Sequence, residues 1–162
     1  MHTLLDLRGH IPCFITMTRG AVHDVNMLDE LVLEAGAYYM MDRGFIDFAR
    51  LYRFTQSLAF FVTRAKDNMD YRVRTSRPVD LATGLRADQS IPLRGIHTRR
   101  FYPELLRPVS FTDLDTGTNL VFLSNNFTLA ASTIARLLQV FDEAKMTNQR
   151  VDDANPLPLL DF

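Results

Sequence analysis

An apolar run that ends in a carboxylate and a glycine is the stretch of this chain best suited to chemistry. Residues 38–45 read Tyr-Tyr-Met-Met-Asp-Arg-Gly-Phe. The residues before Asp42 favour a short buried strand, Gly44 favours a tight turn, and Phe45 opens a helical pattern. Because α/β enzymes bind ligands beyond the carboxyl ends of their strands, Asp42 is a candidate catalytic or metal-binding acid. The alternative is a carboxylate that only caps the next helix or forms an Asx-turn.

Two cations follow the next predicted strand and belong to the same candidate site. The apolar run at residues 59–63 ends in Arg64-Ala65-Lys66. An amphipathic helix predicted at residues 46–57 precedes this run, and strand–helix–strand alternation predicts that the two strands are parallel. Arg64 and Lys66 should therefore lie close to Asp42, where they could reach a phosphate. The apolar face of the predicted helix is formed by Phe48, Leu51, Tyr52 and Phe54. Its basic face, formed by Arg50 and Arg53, is predicted to be exposed.

The segment before this site is also predicted to be α/β. Residues 2–7 and 11–17 are predicted strands, joined by a hairpin turn at Arg8-Gly9-His10. A helix is predicted to begin at an Asp24 N-cap and to end at Gly36. Its apolar stripe is formed by Met27, Leu28, Leu31 and Val32.

The segment after the site is β-rich and ends in a helix. The predicted strands lie at residues 71–75, 90–93, 98–102, 108–112 and 119–123, with a hairpin signal at 113–118. Pro92 and Pro103 argue against central positions for the second and third of these strands. A helix is predicted from about residue 129 to 144, with Thr128 as its cap and with Ile134, Leu137, Leu138 and Phe141 on one face. The predicted division is a core at 1–70, a β-rich insertion at 71–127, a C-terminal helix at 128–146 and a disordered tail at 147–162.

The composition fits one globular domain. The chain has 162 residues, of which 47% are hydrophobic and 23% charged. No apolar run approaches the roughly 20 residues of a membrane span, and the first residues lack a signal-peptide pattern, so a cytoplasmic protein is expected. The single cysteine, Cys13, excludes an internal disulfide, and its apolar neighbours favour a core position over a reactive thiol.

The net charge of −1 conceals an uneven distribution. Residues 43–107 hold thirteen basic and six acidic residues. Residues 1–42 hold two basic and six acidic residues, and residues 108–162 hold three basic and seven acidic residues. A basic segment flanked by acids is typical of a metal-dependent enzyme that acts on a polyanion such as a nucleic acid. Solvated arginines on ordinary surfaces are the alternative.

Four segments, taken in order, resemble consecutive blocks of bacterial insertion-sequence transposases of the IS-four type. The blocks are residues 2–9 (His-Thr-Leu-Leu-Asp-Leu-Arg-Gly), 20–25 (Gly-Ala-Val-His-Asp-Val), 41–47 (Met-Asp-Arg-Gly-Phe-Ile-Asp) and 61–66 (Phe-Val-Thr-Arg-Ala-Lys). The resemblance implies an RNase H-like (integrase-like) α/β fold with a β-rich insertion and a DDE triad of acids. It also implies DNA transposition, a form of recombination carried out by mobile elements.

The resemblance assigns roles to several residues of the candidate site. Asp42 corresponds to the second acid of the triad. Strand cleavage and joining are in-line displacements at phosphorus, and the family resemblance implies two divalent ions, Mg²⁺ or Mn²⁺, held by the acids. The implied partners are transposon-end and target DNA, with a homodimer or an intact transposase as a possible protein partner. Arg43, Arg64 and Lys66 are the expected DNA contacts, and His23, Asp24 and Gly44 the supporting residues, although Asp24 also suits a plain helix cap.

The sequence departs from the family pattern at both ends. The first acid of the family lies upstream of the block that begins at His2, and residues 135–145 lack the tyrosine and arginine that precede the final glutamate. Glu143 is the remaining candidate for that ligand. We therefore expect a chain truncated at both ends, with an incomplete core and no activity of its own. The alternatives are a non-catalytic remnant that binds DNA or pairs with intact transposase, and a chain that does not fold alone because a lost strand leaves an unpaired sheet edge.

Overall fold

The computed structural model describes residues 2–5, 14–17, 27–137 and 139–140. The strands are β1 (His2–Leu5), β2 (Phe14–Met17), β3 (Tyr38–Met41), β4 (Phe60–Arg64), β5 (Thr75–Arg77), β6 (Leu85–Pro92), β7 (Leu105–Thr112) and β8 (Asn119–Ser124). The helices are α1 (Met27–Glu30), α2 (Phe48–Gln56), α3 (Ile96–Phe101) and α4 (residues 131–137, continuing at 139–140). Within the described ranges, no helix is long and apolar enough to cross a bilayer.

The eight strands of the described residues belong to one mixed sheet in the order β1-β2-β3-β4-β8-β7-β6-β5. β1 and β2 pair antiparallel, as predicted, and β2, β3 and β4 are parallel, as the alternation of strands and helices predicts. β3 is thus paired on both sides. The chain has the mixed α/β architecture that the sequence predicts.

Helices cover both faces of the central strands, which explains why β3 is apolar throughout. All four residues of β3 are buried. Tyr39 and Met41 pack into a core with Leu51 of α2, whereas Tyr38 and Met40 pack into a second core with α4. Because successive side chains of a strand point to opposite faces, only a continuous apolar run satisfies both cores.

Helix α2 forms where the sequence predicts it, but its arginines are not simply exposed. Asp47 caps the helix by accepting a hydrogen bond from the Arg50 backbone at 3.0 Å. The guanidinium groups of Arg50 and Arg53 form ion pairs with Asp29 at 2.8 and 3.2 Å. The predicted basic face is therefore only partly exposed, because Asp29 from the preceding segment pairs with both arginines.

The β-rich segment extends the central sheet through β8, which pairs antiparallel with β4. Residues 98–102, predicted as a strand, lie largely in α3; Gly95 (φ +87°) allows the turn that starts this helix. Of residues 90–93, predicted to be an edge piece, Ser90 pairs with β5, whereas Ile91 and Pro92 pair with β7 beyond the end of β5. Pro92 is tolerated because it is the last residue of that strand.

The first strand of the β-rich segment differs from the prediction, whereas its hairpin agrees with it. The segment 71–75 forms only a bridge from Tyr71 to Leu93, and the strand itself begins at Thr75. The hairpin signal at 113–118 is confirmed: the Asp113 backbone donates to the Thr118 carbonyl at 2.9 Å.

The predictions for the first and last helices are correct only in part. Leu28 is buried, but Val32 is 86% exposed, and α1 ends at Glu30 rather than at Gly36. In α4, Ile134 and Leu137 are buried as expected. Thr128 is not its cap, since its hydroxyl donates to Asn126 Oδ1 and the helix starts at residue 131. Several predicted features lie outside the described residues, namely the turn at Arg8-Gly9-His10, Cys13, His23, Asp24, Leu138, Phe141, Glu143 and the tail 147–162.

Candidate functional site

Asp42 lies immediately beyond the carboxyl end of β3, the position from which an α/β sheet presents a ligand-binding group. A single 3-10 turn, Arg43–Phe45, follows it, and the Asp42 carbonyl accepts a hydrogen bond from the Phe45 backbone at 2.9 Å. The Asp42 side chain makes no capping hydrogen bond to this turn. The alternative in which the carboxylate serves only as a helix cap is therefore not what the structure shows.

The turn after Asp42 is held by its neighbours rather than by a special glycine conformation. Phe45 is fully buried, and Lys66 Nζ donates to the Ile46 carbonyl at 3.3 Å. Among the described glycines, positive φ angles occur at Gly36, Gly84, Gly95 and Gly117, and so not at Gly44. Gly44 lies inside the predicted tight turn, but its backbone angles do not require a glycine.

The parallel register of β3 and β4 brings the predicted cations to Asp42. Met41 pairs with Thr63, so Asp42 and Arg64 follow at equivalent places on adjacent strands. Lys66 lies just beyond and binds the Ile46 carbonyl. Arg43 is largely exposed and forms a 3.6 Å ion pair with Asp67, which is 96% exposed. An exposed pair of this kind is weak, so Arg43 can exchange Asp67 for another anion at little cost.

The described residues do not by themselves fit a two-metal site. Two divalent ions need several carboxylates, whereas no three His, Cys, Asp or Glu side chains in the described ranges lie close enough to share an ion. Asp42 is the acid that the fold places at the predicted position. Glu143, His23 and Asp24 fall outside the described residues.

Comparison with known proteins decides the family. Residues 1–140 match the family model described as "Transposase DDE domain". The chain belongs to the DDE transposase family. A protein of Sinorhizobium fredii named "Putative transposase y4zB" is 31% identical to it over 84 residues, a match that covers 52% of this chain and 24% of that protein. The chain thus matches about a quarter of the length of this relative. No solved structure matches it significantly.

Part of the basic surplus of this transposase domain is structural. The guanidinium of buried Arg107 donates to both carboxylate oxygens of Asp88 at 2.8 Å, and Arg77 lies 3.2 Å from the same carboxylate. Burial by itself would raise the pKa of Asp88, but the hydrogen bonds and charge of Arg107, assisted by Arg77, outweigh it and hold the pKa below its usual value. These cations balance an internal charge and do not face a ligand.

Other arginines of the transposase domain remain available to a ligand, and the sequence pattern only partly indicates them. The side chains of Arg72, Arg74, Arg94 and Arg99 line a common cavity at the end of β6 and the start of α3. The sequence signals were the basic segment 43–107 and the alternating arginines at 72 and 74, but the contribution of Arg99 depends on a helix that was predicted as a strand.

Proposed function

We propose that this chain is the catalytic-domain portion of an IS-four type DNA transposase with an RNase H-like core, and that Asp42 is one acid of its active centre. Family membership supports the reaction class. The single observation that carries the residue assignment is the position of Asp42 beyond a central parallel strand, with a side chain that makes no capping hydrogen bond to the following turn.

The reaction of such an enzyme is displacement at the phosphorus of a DNA strand. Divalent ions, Mg²⁺ or Mn²⁺, supply charge stabilisation when bound, and Asp42 would be one of their ligands. The chain's own cations would orient the substrate: Arg64 and Lys66 beyond β4, and Arg43 in the adjacent turn, would bind DNA phosphates beside the acid. Their proximity to Asp42 in the fold supports this role.

We further propose that the isolated chain does not cleave or join DNA. The support is that the described residues contribute one suitably placed acid and no cluster of three ligands. The same observation favours a second candidate function, a non-catalytic module that binds DNA or pairs with another transposase subunit. In that case the chain would bind DNA or another transposase subunit but would not cleave DNA.

The test of activity is a nicking and strand-transfer assay of the full chain on supercoiled DNA with Mg²⁺ or Mn²⁺. We expect no product above the protein-free control. Activity that is lost in Asp42→Asn but retained in Asp67→Asn would overturn the proposed inactivity while supporting Asp42 as the acid. Asp67 is a suitable control because it lies 3.6 Å from Arg43, in the turn that follows Asp42, and is almost fully exposed.

The test of the acid itself uses Mn²⁺ as a paramagnetic probe and does not depend on activity. Amide NMR signals from the turn at Arg43–Phe45 should broaden on addition of Mn²⁺ in the wild-type chain and in Asp67→Asn. They should stay sharp in Asp42→Asn. Equal broadening in Asp42→Asn, or none in the wild type, would contradict the metal-binding role of Asp42.

A further inference from the structure

A basic groove lies in the β-rich half of the sheet, away from the residues assigned to the acid site. Two adjoining cavities, of about 460 and 690 Å³, share the residues Arg74, Pro92 and Arg99. Arg72 and Arg94 complete the first cavity. We call the surface formed by the four arginines Arg72, Arg74, Arg94 and Arg99 the arginine groove.

The backbone places these side chains together from separate parts of the chain. Arg72 and Arg74 are two residues apart in an extended segment, where alternate side chains share a face, and the Arg74 backbone continues the ladder by donating to the Ser90 carbonyl at 2.9 Å. Across the groove, Gly95 turns the chain into α3, and the Arg99 backbone donates to the Gly95 carbonyl at 3.0 Å. Local backbone geometry therefore fixes both walls.

The charge of the groove is poorly compensated within the protein. Across the described ranges, the side chains of Arg72, Arg74 and Arg99 make no hydrogen bond or ion pair, and all three residues are exposed. Arg94 is 3.8 Å from Asp70, with both side chains more than 60% exposed, a pair that contributes little. One carboxylate, Glu104, lines the second cavity.

This pattern differs from that of the other arginines of the same segment. Arg50 and Arg53 share Asp29, and Arg77 and Arg107 share Asp88. Like charges held close together without counter-charges repel one another. A bound polyanion would remove this repulsion, and the release of its condensed counterions would favour binding further. The groove is thus electrostatically suited to a row of phosphates.

The arginine groove leads towards the residue that ends the turn after Asp42. A third cavity, of about 210 Å³, shares Leu93 and Arg94 with the groove and is lined at its other end by Ile46 and Lys66. Ile46 is the residue that follows the 3-10 turn after Asp42. A chain of adjoining cavities therefore connects the groove with the neighbourhood of the acid.

We propose that the arginine groove binds the phosphate backbone of DNA and directs the strand towards the end of β3. This inference rests on the proposed function for the identity of the polyanion as DNA. Phe127 in the second cavity and Ile96 in the first add apolar surface on which a sugar or base can rest.

The test measures the affinity of the full chain for a fluorescein-labelled DNA duplex by anisotropy at several salt concentrations. Each phosphate contact contributes about 0.9 to the slope of log affinity against log salt. Arg72→Gln/Arg74→Gln should therefore lower the slope by about 1.8 and weaken binding at low salt by about tenfold or more. Arg99→Gln should lower the slope by about half as much.

The matched control removes the same charge outside the groove. Arg100 is adjacent to Arg99 and exposed but does not line either cavity, and Arg136 is an exposed arginine of α4. Arg100→Gln/Arg136→Gln should keep the wild-type slope and remain within about twofold of its affinity. Equal losses in the groove and control variants, or no effect of the groove variants, would overturn the proposal.

The two proposals can fail separately in these experiments. The salt dependence of DNA binding reports on the groove variants, and Mn²⁺ broadening near Asp42 reports on Asp42→Asn; Arg72→Gln/Arg74→Gln should leave that broadening unchanged. Failure of the Mn²⁺ test with intact groove-dependent binding would reject the acid site alone. Absence of any salt-dependent DNA binding by the wild-type chain, with its fold verified by circular dichroism, would reject the groove as a DNA site.

Discussion

Replacing Arg107 with methionine should severely destabilise the fold, because this guanidinium connects three parts of the β-rich half. Its Nε and Nη2 donate to Asp88 in β6 at 2.8 Å, and its Nη1 donates to the carbonyls of Asn126 and Leu129 at 3.1 and 2.7 Å. The side chains of Arg107 and Asp88 are only 3% and 6% exposed. Methionine has a comparable length but cannot donate these hydrogen bonds.

The expected loss follows from leaving one partner of a buried ion pair behind. Removing one member of such a pair costs about 3–5 kcal/mol. Arg77, which stays 3.2 Å from the Asp88 carboxylate, should keep the loss near the lower end, at about 3 kcal/mol. Since whole domains are stable by only about 5–15 kcal/mol, this is a large fraction of the total.

The assay is urea unfolding at pH 7, followed by circular dichroism. The matched variant is Arg107→Met/Asp88→Leu, which removes both buried charges and should be more stable than Arg107→Met alone. A loss below about 1 kcal/mol in the single variant would refute the reasoning. So would a double variant that is no more stable than the single one, because the cost would then come from packing rather than from the stranded charge.

The pH dependence gives an independent check on the same pair. The folded-state pKa of Asp88 is lowered, so its contribution to stability is present above the unfolded pKa of about 3.9 and is lost as pH falls through the lowered value. Without Arg107, burial should dominate and raise that pKa. The difference in unfolding free energy between the wild type and Arg107→Met should therefore become smaller as the pH is lowered towards 4. A difference that does not change with pH would contradict this account.

Two further changes test local geometry. Gly84→Ala should cost about 3 kcal/mol: the positive φ of +88° costs roughly 1–2 kcal/mol, and the new Cβ would lie 2.6 Å from the Thr112 carbonyl oxygen and 2.7 Å from the Phe111 ring. Gly117 has a similar φ (+71°), but a Cβ added there would have no atom within 4 Å, so Gly117→Ala should show only the backbone cost of about 1 kcal/mol. Equal melting temperatures for Gly84→Ala and Gly117→Ala would contradict the steric argument. Asp47→Ala should lower the free energy of unfolding in urea by about 1 kcal/mol, because α2 loses its cap. Asp47→Asn keeps a capping oxygen and should recover most of this stability. A variant Asp47→Asn as unstable as Asp47→Ala would assign the effect to the ion pair with Arg50 instead.

The central α/β part could be predicted from the sequence because its signals are local. The continuous apolar runs that become β3 and β4 are long enough for strands, and the amphipathic pattern of α2 lies between them. Parallel pairing follows from that order, and with it the position of Arg64 next to Asp42. This part of the candidate site therefore needed no knowledge of distant contacts.

The β-rich part could not be predicted as well, because distant partners decide it. β6 contains the polar residues Arg86, Asp88 and Gln89, which gave no strand signal, yet Asp88 is buried because Arg107 neutralises it from β7. No local pattern reveals that pairing. Residues 98–102 were too short a segment to distinguish strand from helix, and the preceding Gly95 turn starts α3 instead.

The basic segment illustrates why a count of charges cannot locate a binding surface. Its arginines look alike in the sequence, but the fold supplies Asp29 and Asp88 to some of them and leaves Arg72, Arg74 and Arg99 without a carboxylate among the described residues. A buried or paired cation has already exchanged its hydration for a protein partner, so binding a phosphate would require breaking that contact. An exposed cation pays no such cost. The arginines that the protein does not neutralise are therefore the ones from which DNA binding should derive its salt dependence.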